Sequence, residues 1–165
     1  MMEYKIEDIQ NKGINMLSLF DGISCTRVAL ERANIPIKNY YASEVDKWAI
    51  AVSKKNYPDI IHLGDVKNIG HGTIARLQNK MICEIDLMVG GFPCTDLSIA
   101  KKDRQGLQGE KSGLFYEMIR IHREVMPRWF IYENVFSMSQ KDKDLITKEI
   151  GEIMYPPEEW EIIDD

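Results

Sequence analysis

The sequence predicts an α/β domain built on a doubly wound parallel sheet. Three observations lead to this prediction. Short apolar or β-branched runs alternate with amphipathic runs, the 165 residues suit one hydrophobic core, and glycines and polar residues follow each apolar run. No internal repeat, low-complexity tract or long linker interrupts the pattern. Residues 1–165 are therefore predicted to form a single domain.

The pattern predicts five strands, each followed by a helix. The strands are expected at 14–20, 38–44, 60–66, 85–91 and 128–134. The helices are expected at 22–34, 46–57, 71–80, 113–125 and about 137–150. Val28, Ala29 and Ile35 are expected on or near the apolar side of the first helix. In such folds a ligand binds outside the carboxyl ends of the strands, so the function is expected at that edge.

Composition favours a protein of a reducing compartment. Cys25, Cys83 and Cys94 lack the spacing of a disulfide framework or a metal site, so no metal is expected. No apolar run approaches the roughly 18 residues that a membrane span requires, and the N-terminus does not resemble a secretory signal. A soluble intracellular protein is expected, cytoplasmic in a bacterial or phage setting.

The net charge of −5 does not indicate a self-sufficient nucleic-acid binder. Two basic clusters could contribute locally. One is Lys101, Lys102 and Arg104, and the other is Arg120, Arg123 and Arg128. The second cluster fits the solvated face of a helix equally well.

The loops after the first three strands predict a nucleoside site. The loop "FDGIS" has one glycine where the dinucleotide fingerprint has three, which argues against a pyrophosphate. Glu44 lies about 20 residues beyond that turn, where an acid in this fold accepts hydrogen bonds from a ribose. Asp65 could bind an adenine amino group, with Val45 and Val66 against the ring. Taken singly, Asp21 and Asp65 are also typical of helix N-caps and turns.

A cysteine and a carboxyl group follow the fourth and fifth strands. Cys94 comes directly after Pro93 in "GGFPCTDLS", where it could be a nucleophile or a buried small residue. Glu133 ends the fifth strand, which would neighbour the fourth in a 3-2-1-4-5 strand order. The thiol and the carboxyl group could then face one pocket. Glu133 and Asn134 fit a turn or a helix cap equally well.

Five motifs, in order, resemble those of DNA (cytosine-5) methyltransferases, particularly the de novo type and phage or bacterial relatives. They are "LSLFDGIS", "ASEVD", "GDV", "GGFPCTDLS" and "YENV", and the resemblance runs from about Asn15 to the end of the chain. It implies a Rossmann-like sheet of the S-adenosylmethionine-dependent methyltransferase type, with S-adenosyl-L-methionine as cofactor. The implied cofactor-binding residues are Phe20, Asp21, Gly22, Ile23, Glu44, Val45, Asp65, Val66, Pro93 and Leu114.

The resemblance also implies a reaction on duplex DNA. Cys94 would add to C6 of a cytosine flipped out of the helix, and Glu133 would donate a proton to the ring N3. Asn134 would support the loop that carries Cys94. The methyl group would go to C5, as in restriction-modification systems.

In the family, an arginine segment, a target-recognition region and a returning helix follow the part that this sequence resembles. The resemblance therefore implies a fold incomplete at the C-terminus and no target-recognition region within 1–165. Activity is expected to need a complementing C-terminal chain, and self-association through exposed surfaces is the other possibility. A non-catalytic relic or regulatory module, and an RNA-directed enzyme, are the alternative interpretations.

Overall fold

The computed structural model describes residues 10–79, 84–93, 113–135 and 138–154. These residues contain a five-stranded sheet in the order β3-β2-β1-β4-β5, and every pairing in it is parallel. The strands are β1 (Ile14–Leu19), β2 (Ile37–Ser43), β3 (Ile61–Gly64), β4 (Leu87–Gly90) and β5 (Trp129–Tyr132). The predicted doubly wound sheet and its 3-2-1-4-5 order are confirmed.

Five helices flank the sheet in the described ranges, together with a short 3₁₀ helix at Val66–Asn68. The helices are α1 (Cys25–Arg32), α2 (Lys47–Asn56), α3 (His71–Leu77), α4 (Leu114–Val125) and α5 (Gln140–Met154). Helix α2 begins where it does because Oδ1 of Asp46 accepts hydrogen bonds from the backbone N–H groups of Trp48 and Ala49, both at 2.8 Å. None of the described helices is both long and apolar enough to cross a membrane.

Both faces of the sheet are buried near its centre, as expected for parallel strands with crossover helices. Side chains of β1 alternate between the two faces. Leu17 and Leu19 join a cluster with Phe115 and other residues of α4. Met16 joins the second cluster, which includes Leu30 of α1. Full burial of such a side chain contributes about 1.5–3 kcal/mol, so both layers stabilise the central strands.

The five strands end at one common level. Leu19 pairs with Ser43 on one side and with Gly90 on the other. Ser43 in turn pairs with Gly64, and Gly90 pairs with Tyr132. The next residue of each strand therefore starts a loop at the same border, here called the carboxyl edge. These residues are Phe20, Glu44, Asp65, Gly91 and Glu133.

Helix α1 begins at Cys25 and not at the predicted position 22. Phe20, Gly22 and Ser24 have φ angles of 57°, 59° and 68°, so the backbone cannot become helical before residue 25. Ala29, predicted on or near the apolar side of this helix, is exposed, and Leu30 is buried instead. A leucine side chain gains more from burial than an alanine, which favours this orientation of the helix.

Strand β3 ends at Gly64, before the predicted position 66, and Gly64 has a φ of 80°. Asp65 lies beyond the strand, and its Oδ1 accepts a hydrogen bond from the N–H of Lys67 at 3.0 Å, which caps the 3₁₀ helix. Strands β4 and β5 are also shorter than predicted, and α5 starts later and extends to Met154. The errors are thus in element boundaries, not in element type or order.

Candidate functional site

A cavity of about 230 Å³ lies at the carboxyl edge, next to the ends of β1, β2 and β3. Most of its wall consists of residues that the sequence predicted as cofactor-binding. The lining residues are Phe20, Ser43, Glu44, Val45, Asp65, Val66, Lys67, Pro93 and Leu114. Apolar side chains and two carboxyl groups therefore meet in one cavity, although they come from separate parts of the chain.

The carboxylate of Glu44 is fixed by backbone hydrogen bonds. Oε2 accepts from the N–H of Gly22 at 2.8 Å. Oε1 accepts from the N–H groups of Val45 at 2.7 Å and Asp46 at 2.8 Å. A carboxylate has about four acceptor positions, so one remains on Oε2. Glu44 is thus held rigidly and can still accept a hydrogen bond from a ligand hydroxyl.

Arg120 of α4 supports the part of the wall that contains Val66. Its Nη2 donates to the carbonyl of Val66 at 3.4 Å and to that of Ile69 at 2.9 Å. The same guanidinium pairs with Glu117 at 2.7 Å and with Glu124 at 2.8 Å. Sequence reasoning missed this structural role because the two carbonyl contacts depend on tertiary packing.

The other arginines of the second basic cluster also have intramolecular contacts. Arg123 lies 3.4 Å from Glu149 and 3.9 Å from Glu152, both on α5. The guanidinium of Arg128 lies over the ring of Trp129, 5.3 Å from its centroid. These contacts favour the interpretation as a structural and solvated surface. The first cluster, Lys101, Lys102 and Arg104, lies outside the described residues.

Asp21, Gly22 and Ile23 do not line the cavity. The carboxylate of Asp21 is buried, and it accepts hydrogen bonds from the hydroxyls of Tyr40 at 2.7 Å and Ser24 at 2.5 Å. Burial and the nearby Asp21 raise the pKa of the Tyr40 phenol well above its usual value. Ile23 is 51% exposed. The backbone of this turn nevertheless bonds to the wall, because the N–H of Asp21 donates to the carbonyl of Ser43 at 3.0 Å and the N–H of Gly22 donates to Glu44 at 2.8 Å.

Glu133 and Asn134 meet the segment that follows β4. The side-chain amide of Asn134 donates to the carbonyl of Phe92 at 3.0 Å. A Cβ atom at Gly91 would lie 2.8 Å from Oε2 of Glu133, so the carboxyl group of Glu133 rests against the glycine. Cys94 itself lies outside the described residues. The structure thus brings Glu133 and Asn134 to Gly91 and Phe92, the residues that lead to Pro93 and Cys94.

Ser43 and Lys67 line the cavity but were missed by sequence reasoning. Each is adjacent to a predicted residue, so including one more residue in each loop would have found them. In the described part of the chain, no group of three or more His, Cys, Asp or Glu side chains is placed to hold a metal ion.

A family model described as C-5 cytosine-specific DNA methylase matches residues 14–155. Over 135 residues the chain is 36% identical to the type II methyltransferase M1.ScrFI of Lactococcus lactis subsp. cremoris, covering 82% of this chain and 32% of that protein. Over 142 residues it is 33% identical to the type II methyltransferase M.NlaIV of Neisseria lactamica, covering 84% and 31%.

Among solved structures, the chain resembles a DNA modification methyltransferase encoded within a prophage, from E. coli. The TM-score is 0.66 at 25% identity, and the match covers 85% of this chain and 37% of that one. The chain spans about a third of the length of the curated relatives it matches, at 32% and 31% of the two named above.

Proposed function

The chain belongs to the C-5 cytosine-specific DNA methylase family, and from this premise we propose that residues 1–165 form the N-terminal part of a catalytic domain that methylates C5 of cytosine in DNA. One observation supports this proposal most directly. The motif residues Phe20, Glu44, Asp65 and Pro93 line one cavity, and Glu133 lies against Gly91 at the same carboxyl edge.

The cavity suits the nucleoside part of S-adenosyl-L-methionine. Its volume of about 230 Å³ is below the roughly 300–1,000 Å³ typical of pockets for drug-sized ligands, which fits a nucleoside better than a dinucleotide. Val45 and Val66 offer apolar contact to a base. Oε2 of Glu44 keeps an acceptor position for a ribose hydroxyl, and Asp65 can accept a hydrogen bond from an amino group. When bound, S-adenosyl-L-methionine supplies the methyl group.

The residues beyond β4 and β5 are proposed to activate the cytosine. C5 of cytosine is a poor nucleophile within the aromatic ring. The thiolate of Cys94 adds to C6 while Glu133 donates a proton to N3, so that electron density develops at C5. After methylation, a water molecule takes the C5 proton, N3 returns its proton to Glu133 and the thiolate is eliminated, which restores the ring. Asn134 keeps the loop in place through its bond to the Phe92 carbonyl.

Methyl transfer from labelled S-adenosyl-L-methionine to cytosine-containing duplex DNA tests the proposal. The chain would be assayed alone and with the polypeptide encoded immediately downstream. We expect Cys94→Ser to abolish incorporation, whereas Cys25→Ser, at an exposed cysteine, should retain it. Cofactor binding without methyl transfer in any mixture would instead favour a non-catalytic or regulatory module, and transfer only to RNA would favour the RNA-directed alternative.

A complementing chain is proposed to cover β5. Phe130 and Tyr132 pack towards the cluster that includes α4 and α5. On the opposite face, Trp129 is 43% exposed and Ile131 is 57% exposed. β5 is also an edge strand of the described sheet. Because the chain spans about a third of its relatives, we propose that the downstream polypeptide packs on this face, and that self-association replaces it when that polypeptide is absent.

Replacing Trp129 and Ile131 together by serine tests this docking surface. The double variant should lose binding to the downstream polypeptide in a pull-down and should become monomeric in light scattering. Binding of S-adenosylhomocysteine should persist. Exposed Val52 and Leu77, changed to serine, provide a matched control. Unchanged association of the Trp129 and Ile131 variant would refute the assignment of this face.

A further inference from the structure

A chain of buried hydroxyl groups connects the turn after β1 to α2 and β3. Oγ of Ser24 lies 2.5 Å from Oδ2 of Asp21 and 2.6 Å from Oγ of Ser53. Oγ of Ser53 lies 3.4 Å from Nε2 of His62. Both serines have an exposed fraction of 0%. Burying a hydroxyl group costs free energy unless it is hydrogen-bonded, so each of these hydroxyls needs the next one as its partner.

The hydrogen bonds of this chain have one consistent direction. Each hydroxyl has a single proton, and a carboxylate only accepts. Ser24 therefore donates to Asp21 and accepts from Ser53, and Ser53 accepts from the Nε2–H of His62. Nδ1 of His62 then carries a lone pair, and it is the buried side-chain polar atom without a partner among the described residues. Burial, together with Lys54, lowers the pKa of His62, although Asp21 acts in the opposite direction.

Ser24 has a left-handed backbone, with φ 68° and ψ 42°. Glycine adopts this conformation freely, whereas a residue with a Cβ is strained in it. The serine keeps the conformation while its hydroxyl takes part in two hydrogen bonds that a glycine could not make. The same turn contains Gly22, whose N–H binds Oε2 of Glu44. Two backbone bonds, from the N–H of Asp21 to the Ser43 carbonyl at 3.0 Å and from the N–H of Ser24 to the Asp21 carbonyl at 3.1 Å, hold the same turn. The hydroxyl chain adds side-chain bonds at Asp21 and Ser24, on both sides of Gly22.

We propose that Ser24 and Ser53 are positioning residues for the nucleoside cavity, because their hydroxyl chain holds the Gly22 N–H against the Glu44 carboxylate. Its relevance to S-adenosyl-L-methionine rests on the proposed function. In this proposal Asp21 is the carboxylate acceptor at the end of the hydroxyl chain and does not contact the cofactor directly. Ser53 lies in α2, outside the first loop, and belongs to the same hydroxyl chain.

The test uses Ser53→Ala, Ser24→Gly and the double variant in the full chain. Ser24→Gly removes the hydroxyl and also relieves the backbone strain, whereas Ser53→Ala removes a hydroxyl only, so comparing the two variants separates the two effects. Ser139→Ala is the control. Oγ of Ser139 accepts from the N–H of Asp142 at 3.2 Å in the first turn of α5, and Ser139 is not one of the residues that form the hydroxyl chain. Two quantities are measured: hydrogen exchange at the Gly22 amide without ligand, and S-adenosylhomocysteine affinity by calorimetry.

We expect both single variants to accelerate Gly22 exchange and to weaken the affinity by about 10-fold, in line with one lost buried hydrogen bond. The double variant should weaken the affinity little more than Ser24→Gly does, because both changes break the same series of hydroxyl hydrogen bonds. The control should change neither quantity. Unchanged Gly22 exchange in Ser53→Ala would overturn the proposal. If the unmodified chain binds no S-adenosylhomocysteine either alone or with the downstream polypeptide, the proposed function is wrong, and Gly22 exchange still decides the positioning role.

Discussion

Replacing Glu44 by glutamine changes the charge and one acceptor atom at the carboxyl edge without changing the size of the side chain. In the native chain its two oxygens accept three backbone N–H groups, from Gly22, Val45 and Asp46. A glutamine has one oxygen and one NH₂ group, so it cannot serve all three. The variant therefore measures what the carboxylate contributes to the cavity.

The favoured orientation of the glutamine follows from counting the donors. With its oxygen at the Oε1 position it keeps the bonds to Val45 and Asp46, and its NH₂ group opposes the Gly22 N–H. The opposite orientation would leave two N–H groups unpaired. The first orientation removes the acceptor position proposed for a ribose hydroxyl. A hydrogen bond to a charged group contributes about 1.5–3 kcal/mol, so S-adenosylhomocysteine binding should weaken by roughly 10- to 100-fold.

Calorimetric titration of S-adenosylhomocysteine measures this loss. Glu31→Gln is the matched control, because Glu31 is an exposed glutamate of α1 that pairs with Arg27 at 3.0 Å. The control has the same change in charge and should leave the affinity unchanged. An affinity for Glu44→Gln within about twofold of the unmodified chain would refute the role of Glu44 in the cavity.

Three further predictions concern other residues of the fold. Gly91→Ala places a methyl group against Oε2 of Glu133, at 2.8 Å. It should lower methyl transfer by the complemented enzyme by about 10- to 100-fold while S-adenosylhomocysteine affinity stays unchanged in calorimetry. Asp46→Ala removes the two N-cap bonds of α2 and should lower the free energy of unfolding by about 1 kcal/mol in urea titrations. Burial lowers the pKa of His62 and His122 below the usual 6.5. The unfolded chain then binds protons first as the pH falls, so the free energy of unfolding should be greatest above about pH 6.5 and decline below it. A flat urea-unfolding profile between about pH 5 and pH 8 would contradict this.

The sheet and the main wall of the cavity could be predicted from the sequence because they depend on short-range patterns. Apolar runs followed by Glu44 and Asp65 indicate strand ends, and parallel strands bring their ends to one edge. The pattern also placed Glu133 beside the fourth strand. Each of these predictions needed only the strand order, which the alternation of elements restricts strongly.

The role of Asp21 could not be predicted in the same way. Its side-chain direction depends on the positive φ angles of Phe20, Gly22 and Ser24, and only glycine suggests such an angle from sequence alone. Its partner Tyr40 belongs to β2. Some contacts of Arg120 could be predicted from the sequence and others could not. Pairs with Glu117 and Glu124 follow from helical spacing, whereas its bonds to the carbonyls of Val66 and Ile69 need the packed structure.

Covalent trapping of the chain on duplex DNA that contains 5-fluorocytosine tests the central claim most directly. The fluorine at C5 blocks release of the cysteine, so a reacting enzyme stays attached to the DNA. With S-adenosyl-L-methionine and the downstream polypeptide present, denaturing electrophoresis should show an adduct of this chain, and peptide mass mapping after proteolysis should assign it to Cys94. The adduct should be absent in Cys94→Ser. No adduct in any mixture, or an adduct that persists in Cys94→Ser, would contradict the account.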